Sequence, residues 1–171
     1  SADLARGAAL HIQNRERAYL RRVLDALPGP IHARDASGRY RLLNAAAAEF
    51  IGGTREELEG RRLQDLDLHP DAIAASLELD RRVLAERTTL RHPGARITGA
   101  DGQEHCLQLV TQLLPAGDGE PDQVLGIATD ITALKAAERQ LEDRLRSERT
   151  LRRCLAMLVR TSLAGFDATM T

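Results

Sequence analysis

With 171 residues the chain has room for one core domain with helical extensions. Its 24 Lys and Arg against 25 Asp and Glu leave a formal charge of −1, so no basic excess exists to make nucleic acid a main partner. No apolar run approaches the roughly 20 residues that span a bilayer, and no signal peptide is visible.

Residues 12–27 (IQNRERAYLRRVLDAL) place Ile12, Tyr19, Leu20, Val23, Leu24 and Leu27 along one helical stripe. Pro28, Gly29 and Pro30 end that helix. IHARDASGRYRLLN (31–44) reads as two short strands joined at Asp35-Ala-Ser-Gly38, with Gly38 suited to positive φ. AAAAEFIGGTREELEGRRLQDL (45–66) is a set of short helical turns broken by Gly52, Gly53 and Gly60, and Thr54 with Glu57 forms a capping box. Pro70 opens a longer helix, to about residue 87, carrying Ile73, Leu77, Val83 and Leu84. Three strands are expected at about 88–98, 103–114 and 122–132, linked by GADGQE (99–104) and PAGDGEPD (115–122). From Thr132 the chain is helical to about 160, with no loop between the apolar strand and the charged helix.

The order helix, two strands, helix cluster, three strands, helix is an α+β pattern built on one five-stranded antiparallel sheet. Val124 and Ala128 point to one side of the last strand, and Leu125, Ile127 and Ile131 to the other. A sheet with two apolar faces needs two covers. The inserted helices supply one; the N-terminal helix or a second subunit supplies the other.

Catalytic signals are missing: there is no glycine-rich phosphate loop, no His-Glu-x-x-His and no Cys-x-x-Cys, so no enzyme activity is expected. DLDLHPD (65–71) spaces Asp65, Asp67, His69 and Asp71 alternately, but Pro70 and Ser76 stand where a calcium loop needs glycine and a carboxylate. It reads as a surface loop whose Asp71 favours the following helix N-terminus, not as a metal site. Cys106 and Cys154 read as free thiols in a reducing cytoplasm, the expected location. Phe50, Phe166, Tyr19 and Tyr40 are the only aromatic residues besides histidine, which leaves little for a stacking-based nucleotide or flavin site. His105 alternates with Leu107 and Leu109 and reaches the edge of any pocket there; His32 has either face open to it. For both, the main reading is a hydrogen-bonded structural or surface histidine.

The strand–turn–strand IHARDASGRYRLLN running into NAAAAEF with Asn44 at the junction, the hairpin ADGQEHCLQLVTQLLP, and the closing GIATDIT together resemble a PAS domain, the sensory fold of bacterial signalling proteins. The resemblance covers about residues 20–135. It implies a division into a helical extension that dimerises (1–27), the PAS domain (28–132), a coiled-coil signalling helix (133–160), and the start of a following domain or a disordered tail (161–171). It also implies a ligand pocket between sheet and helices, here near Ala45, Ala47, Phe50, Ile73, Leu77, His105 and Leu107, suited to a small apolar or weakly acidic metabolite. The small side chains Ala45 to Ala48 leave space for a cavity or allow close helix packing. The photoreactive flavin subclass needs a cysteine motif where NAAAAEF stands, and haem-binding members usually take a histidine from the long helix, which has none after His69. Both cofactors are therefore disfavoured and the ligand stays unidentified.

In this family the last strand feeds a signalling helix, which explains the abrupt strand-to-helix switch. Asp130, Ile131 and Thr132 then form a relay: Ile131 anchors the strand, Thr132 caps the helix, and Asp130 pairs with an arginine or the helix N-terminus. Leu134, Leu141 and Leu155 recur at sevens, with Leu151 and Leu158 on an adjacent line and Leu145 and Val159 displaced. Arg144 and Glu148 interrupt this heptad pattern, as in a parallel coiled coil that must not lock. Three functions follow. One is a ligand-responsive sensory module with its output domain elsewhere in the parent chain. The second is a ligand-free dimerisation and relay module. The third is the N-terminal fragment of a histidine kinase or cyclic-dinucleotide enzyme.

Overall fold

A computed structural model describes the backbone of residues 2–117 and 119–167, and the side chains of 6, 10–117, 119–158 and 160. The elements are α1 (Ala2–Ala26), β1 (Ile31–Asp35), β2 (Tyr40–Leu43), α2 (Ala45–Ile51), α3 (Arg55–Leu58), a 3₁₀ turn (Leu63–Asp65), α4 (Pro70–Glu86), β3 (Leu90–Thr98), β4 (Glu104–Leu114), β5 (Gln123–Asp130) and α5 (Thr132–Asp167). This is the expected α+β order. The chain forms two compact units, one ending at Ile131 and one beginning at Thr132. The start of a following domain or tail expected at 161–171 falls in α5 as far as Asp167, and residues 168–171 lie outside the described residues.

The five strands form one antiparallel sheet in the order β2-β1-β5-β4-β3. β5, the last strand in the chain, is therefore central, paired to β1 on one side and β4 on the other. The exposed edge of β3 is broken by a bulge between His92 and Ala95, where Pro93 has no N–H to offer a neighbouring chain.

Local chemistry sets the connections. In the β1–β2 turn, Asp35 Oδ1 accepts from the Ser37 N–H at 2.9 Å and the Arg39 N–H at 3.1 Å, and Gly38 takes φ +78°. Thr54 and Glu57 form the expected capping box at the start of α3. Asn44 is completely buried and joins three elements. Its Oδ1 accepts from the Ile31 and Ala47 N–H groups, both at 2.9 Å, while Nδ2 donates to the Leu24 carbonyl at 3.1 Å and the Gly29 carbonyl at 2.9 Å. Every hydrogen-bonding site of that amide is used.

Register defines two faces. His32 lies opposite Gly126 and Leu43, and Arg34 opposite Val124 and Tyr40, so these six residues share one face. Leu107, Leu109, Thr111 and Leu113 of β4 continue it. The inserted helices cover this inner face with a core of Tyr40, Leu43, Ala47, Ala48, Leu58, Leu63 and Leu66, against which Ile51, Leu68, Ile73 and Leu77 pack. Leu42, Val110, Leu125 and Ile127 lie on the other face and are half-buried. α1 is fastened near its C-terminal end: Arg21 makes two bonds to Glu59 (2.5 and 3.1 Å), and Asp25 accepts from Arg55 and the Ala45 N–H, both at 2.8 Å. Its apolar residues Leu10, Ile12, Tyr19, Leu20 and Val23, and Leu27 just beyond its end, remain exposed in the single chain.

Candidate functional site

The inner face of the sheet holds a buried polar cluster that the amino-acid pattern conceals. Arg34 on β1 makes a bidentate ion pair with Asp80 on α4, Nε to Oδ2 at 2.7 Å and Nη2 to Oδ1 at 2.9 Å. Its other donors reach the Ser76 hydroxyl at 2.7 Å and the Tyr40 hydroxyl at 3.3 Å. The guanidinium carbon lies 5.4 Å from the Tyr40 ring centre. Both charged side chains are almost sealed, at 4% and 7% exposure, so each relies on the other for the polar partners water would have given. Burial pushes the Tyr40 phenol above its ordinary value despite the neighbouring cation.

His32 lies two residues before Arg34 on the same face. The residue keeps some surface, but its Nε2 is fully enclosed and has no hydrogen-bond partner among the described residues. The imidazole stands edge-on to Tyr40 with centroids 5.7 Å apart and occupies the space above Gly126, where a Cβ would lie 2.4 Å from the ring. Only glycine leaves room for it. Burial, then the Arg34 cation, hold this histidine well below the usual imidazole range, so it is neutral. The expectation of a hydrogen-bonded or surface histidine at this position does not describe Nε2.

The residues expected to line a pocket are distributed unevenly. Ala47, Ile73 and Leu77 meet in or against the Tyr40 core, and Leu107 is buried on β4. Phe50 stands edge-on to His105, centroids 5.5 Å apart. Ala45, at the start of α2, is exposed and lines an open depression with Asp25, Glu49 and Arg55. A second open depression runs along α4 beside the β1–β2 turn and includes Leu77, Asp80 and Leu84.

The end of β5 forms the second part of the site. His105 Nδ1 lies 2.8 Å from Asp130 Oδ2, and Nε2 lies 3.0 Å from Asp101 Oδ2. Asp130, and then Asp101, raise the imidazole above its ordinary value. Ile131 has left the sheet but its N–H still donates to the Cys106 carbonyl at 2.8 Å. α5 starts at Thr132, the residue after Ile131. On α5, Leu134, Leu141, Leu145, Leu151, Leu155 and Leu158 are exposed in the single chain.

Sequence reasoning missed Arg34, Asp80, Ser76 and Asp101. The available signal was Asp80, a charge lying on the apolar stripe Ile73, Leu77, Leu84 of its helix.

Comparison with known proteins places this geometry in context. A family model described as PAS fold matches residues 24–136. The virulence sensor protein BvgS of Bordetella pertussis is 30% identical over 135 residues, which are 76% of this chain and 11% of that protein. The C4-dicarboxylate transport sensor protein DctS of Rhodobacter capsulatus is 27% identical over 124 residues, 72% of this chain and 19% of that protein. The solved structure of the PAS domain from Bordetella pertussis BvgS superimposes with a TM-score of 0.58 at 26% identity, covering 78% of this chain and 98% of that one. The chain thus spans a small part of the curated relatives it matches and nearly all of the isolated domain.

Proposed function

This chain belongs to the PAS family, and from that membership we propose that it is the non-catalytic sensory module of a multidomain bacterial signalling protein, passing conformational change through α5 to an output domain. The observation that carries this reading is the position of β5. It is the central strand, it borders the buried cluster, and it continues into α5 after one residue, Ile131. A displacement of either neighbouring strand acts on it directly. The similarity to sensor proteins supports the same reading.

In this reading the module works as a parallel homodimer in the cytoplasm. The exposed apolar residues of α1 and the leucines of α5 supply the contact surface. A small apolar or weakly acidic metabolite is bound among Ala47, Phe50, Ile73, Leu77, His105 and Leu107, with Ala45 at the margin. A ligand-free relay is the second reading, favoured by the Arg34–Asp80 pair, which fills the space between β1 and α4 with protein groups. Mass spectrometry of small molecules released on denaturation separates the two, and Ala47→Phe abolishes retention in the first.

The relay is tested by Asp130→Ala in the parent protein. The expected result is altered output or altered response to signal, while the isolated chain melts only a few degrees lower. Normal regulation in that variant would leave Asp130 with a structural role alone.

A further inference from the structure

His105 links two parts of the domain that, among the described residues, no backbone hydrogen bond joins. Asp101 sits in the β3–β4 turn, and Asp130 is the last residue of β5. Both imidazole nitrogens are directed at carboxylate oxygens, at 2.8 and 3.0 Å. An ionised carboxylate only accepts, so satisfying both contacts requires a proton on each nitrogen. The imidazolium closes both bonds. The neutral ring, with one N–H, closes one.

We propose that His105 is a proton-operated clasp on the exit of β5, closed when the ring is charged and opened on one side when it is neutral. The proposal adds a regulatory input to the sensory reading and does not depend on it. Among the described residues, the charged groups facing the ring are Asp101 from the turn and Asp130 from β5. Phe50 approaches from α2, and Ile97 lies opposite on β3; both are apolar. Glu104 belongs to the other face of β4 and lies 3.7 Å from Arg96. Asp101 is fixed independently by the Gln103 N–H, whose bond to Oδ1 is 2.9 Å, so the turn offers a formed partner. The turn is also tied to the wall of the core: the Ala100 N–H donates to the Phe50 carbonyl at 3.0 Å.

The two carboxylates raise the imidazole above its ordinary value, which sets the sign. The clasp is closed below the ordinary imidazole range and stays closed somewhat above it. It opens as pH rises through the elevated value, the proton passing to solvent. With both ring nitrogens committed to carboxylates, the group is arranged to hold a proton.

The test uses the full 171-residue chain. Histidine ring resonances are titrated by NMR while exchange protection of the Ile131 amide, corrected for intrinsic pH dependence, is followed from pH 6 to 9. The expected result is a fall in protection of about two- to fivefold, the scale of an exposed ion pair, with its midpoint at the His105 titration. In His105→Gln the protection is independent of pH. In Asp101→Asn, which keeps the acceptor for Gln103, the His105 midpoint falls and the opening moves with it. Constant protection in the unmodified chain, or the same fall in His105→Gln, overturns the proposal. So does an Asp101→Asn variant whose midpoint is unmoved. None of these readouts involves the parent protein's output, so failure here leaves the sensory reading standing.

Discussion

Replacing Asp80 by leucine removes one half of a sealed ion pair and leaves the other half in place. The Arg34 guanidinium loses both carboxylate bonds, at 2.7 and 2.9 Å, and keeps the Ser76 and Tyr40 hydroxyls. Its side chain is 4% exposed, so water does not replace the lost partner. Breaking a pair of this kind costs about 3–5 kcal/mol, against a total stability of roughly 5–15 kcal/mol for a domain. At roughly 3–4 °C per kcal/mol for a unit of this size, the melting temperature drops by roughly 10–20 °C. Arg34→Met with Asp80→Leu removes both charges and fills the site with apolar volume; most of the loss is then recovered. Urea unfolding followed by circular dichroism measures all four proteins of the cycle, and an unchanged m-value confirms that the same surface is exposed. A cost below about 1 kcal/mol for Asp80→Leu, or a double variant whose cost equals the sum of the singles, would refute the reasoning.

Asn44→Ala strands the Ile31 and Ala47 N–H groups and the Leu24 and Gly29 carbonyls, and is expected to cost at least about 3 kcal/mol in chemical denaturation. His32 is neutral in the fold and binds a proton in the unfolded chain, so its contribution weakens as pH falls below its ordinary value, by up to about 1.4 kcal/mol per pH unit. His32→Phe removes that slope, and stability measured between pH 7 and 5 shows a difference of one proton; His105 acts with the opposite sign and is unchanged in both proteins. Analytical ultracentrifugation is expected to give a homodimer at tens of micromolar, and a piece comprising residues 28–132 dissociates more readily because the apolar faces of α1 and α5 are gone.

The parts of the fold legible from sequence are those set by neighbours in the chain. Asp35 and Gly38 specify the hairpin turn within four residues, Thr54 and Glu57 specify a capping box, and Pro70 opens α4. The alternation of β5 also revealed its two faces correctly, because side-chain direction has period two regardless of which strands pair. Its central place in the sheet was not legible, since strand order depends on pairings across the whole chain. The Arg34–Asp80 pair joins residues 46 apart and could not be derived from local periods. Asp80 broke an apolar stripe, which signals a buried charge but not its partner. Alternation marks His105 mainly as a hydrogen-bonded structural or surface histidine, which its contacts bear out, but it does not name the partners. One partner comes from the β3–β4 turn, which returns Asp101 to the ring, and the other from the last residue of β5, a pairing set by strand order.

The most direct test of the relay changes the phase of α5 in the parent protein. An α-helix turns about 100° per residue, so two residues inserted after Ala137 rotate everything beyond by about 200°. Seven inserted residues lengthen the helix further yet return its apolar seam to within about 20°. Measured as output activity with and without signal, the two-residue insertion is expected to lose or invert the response and the seven-residue insertion to retain it. Identical behaviour of the two, whether both normal or both silent, would contradict transmission through a helix that leaves the central strand in fixed register.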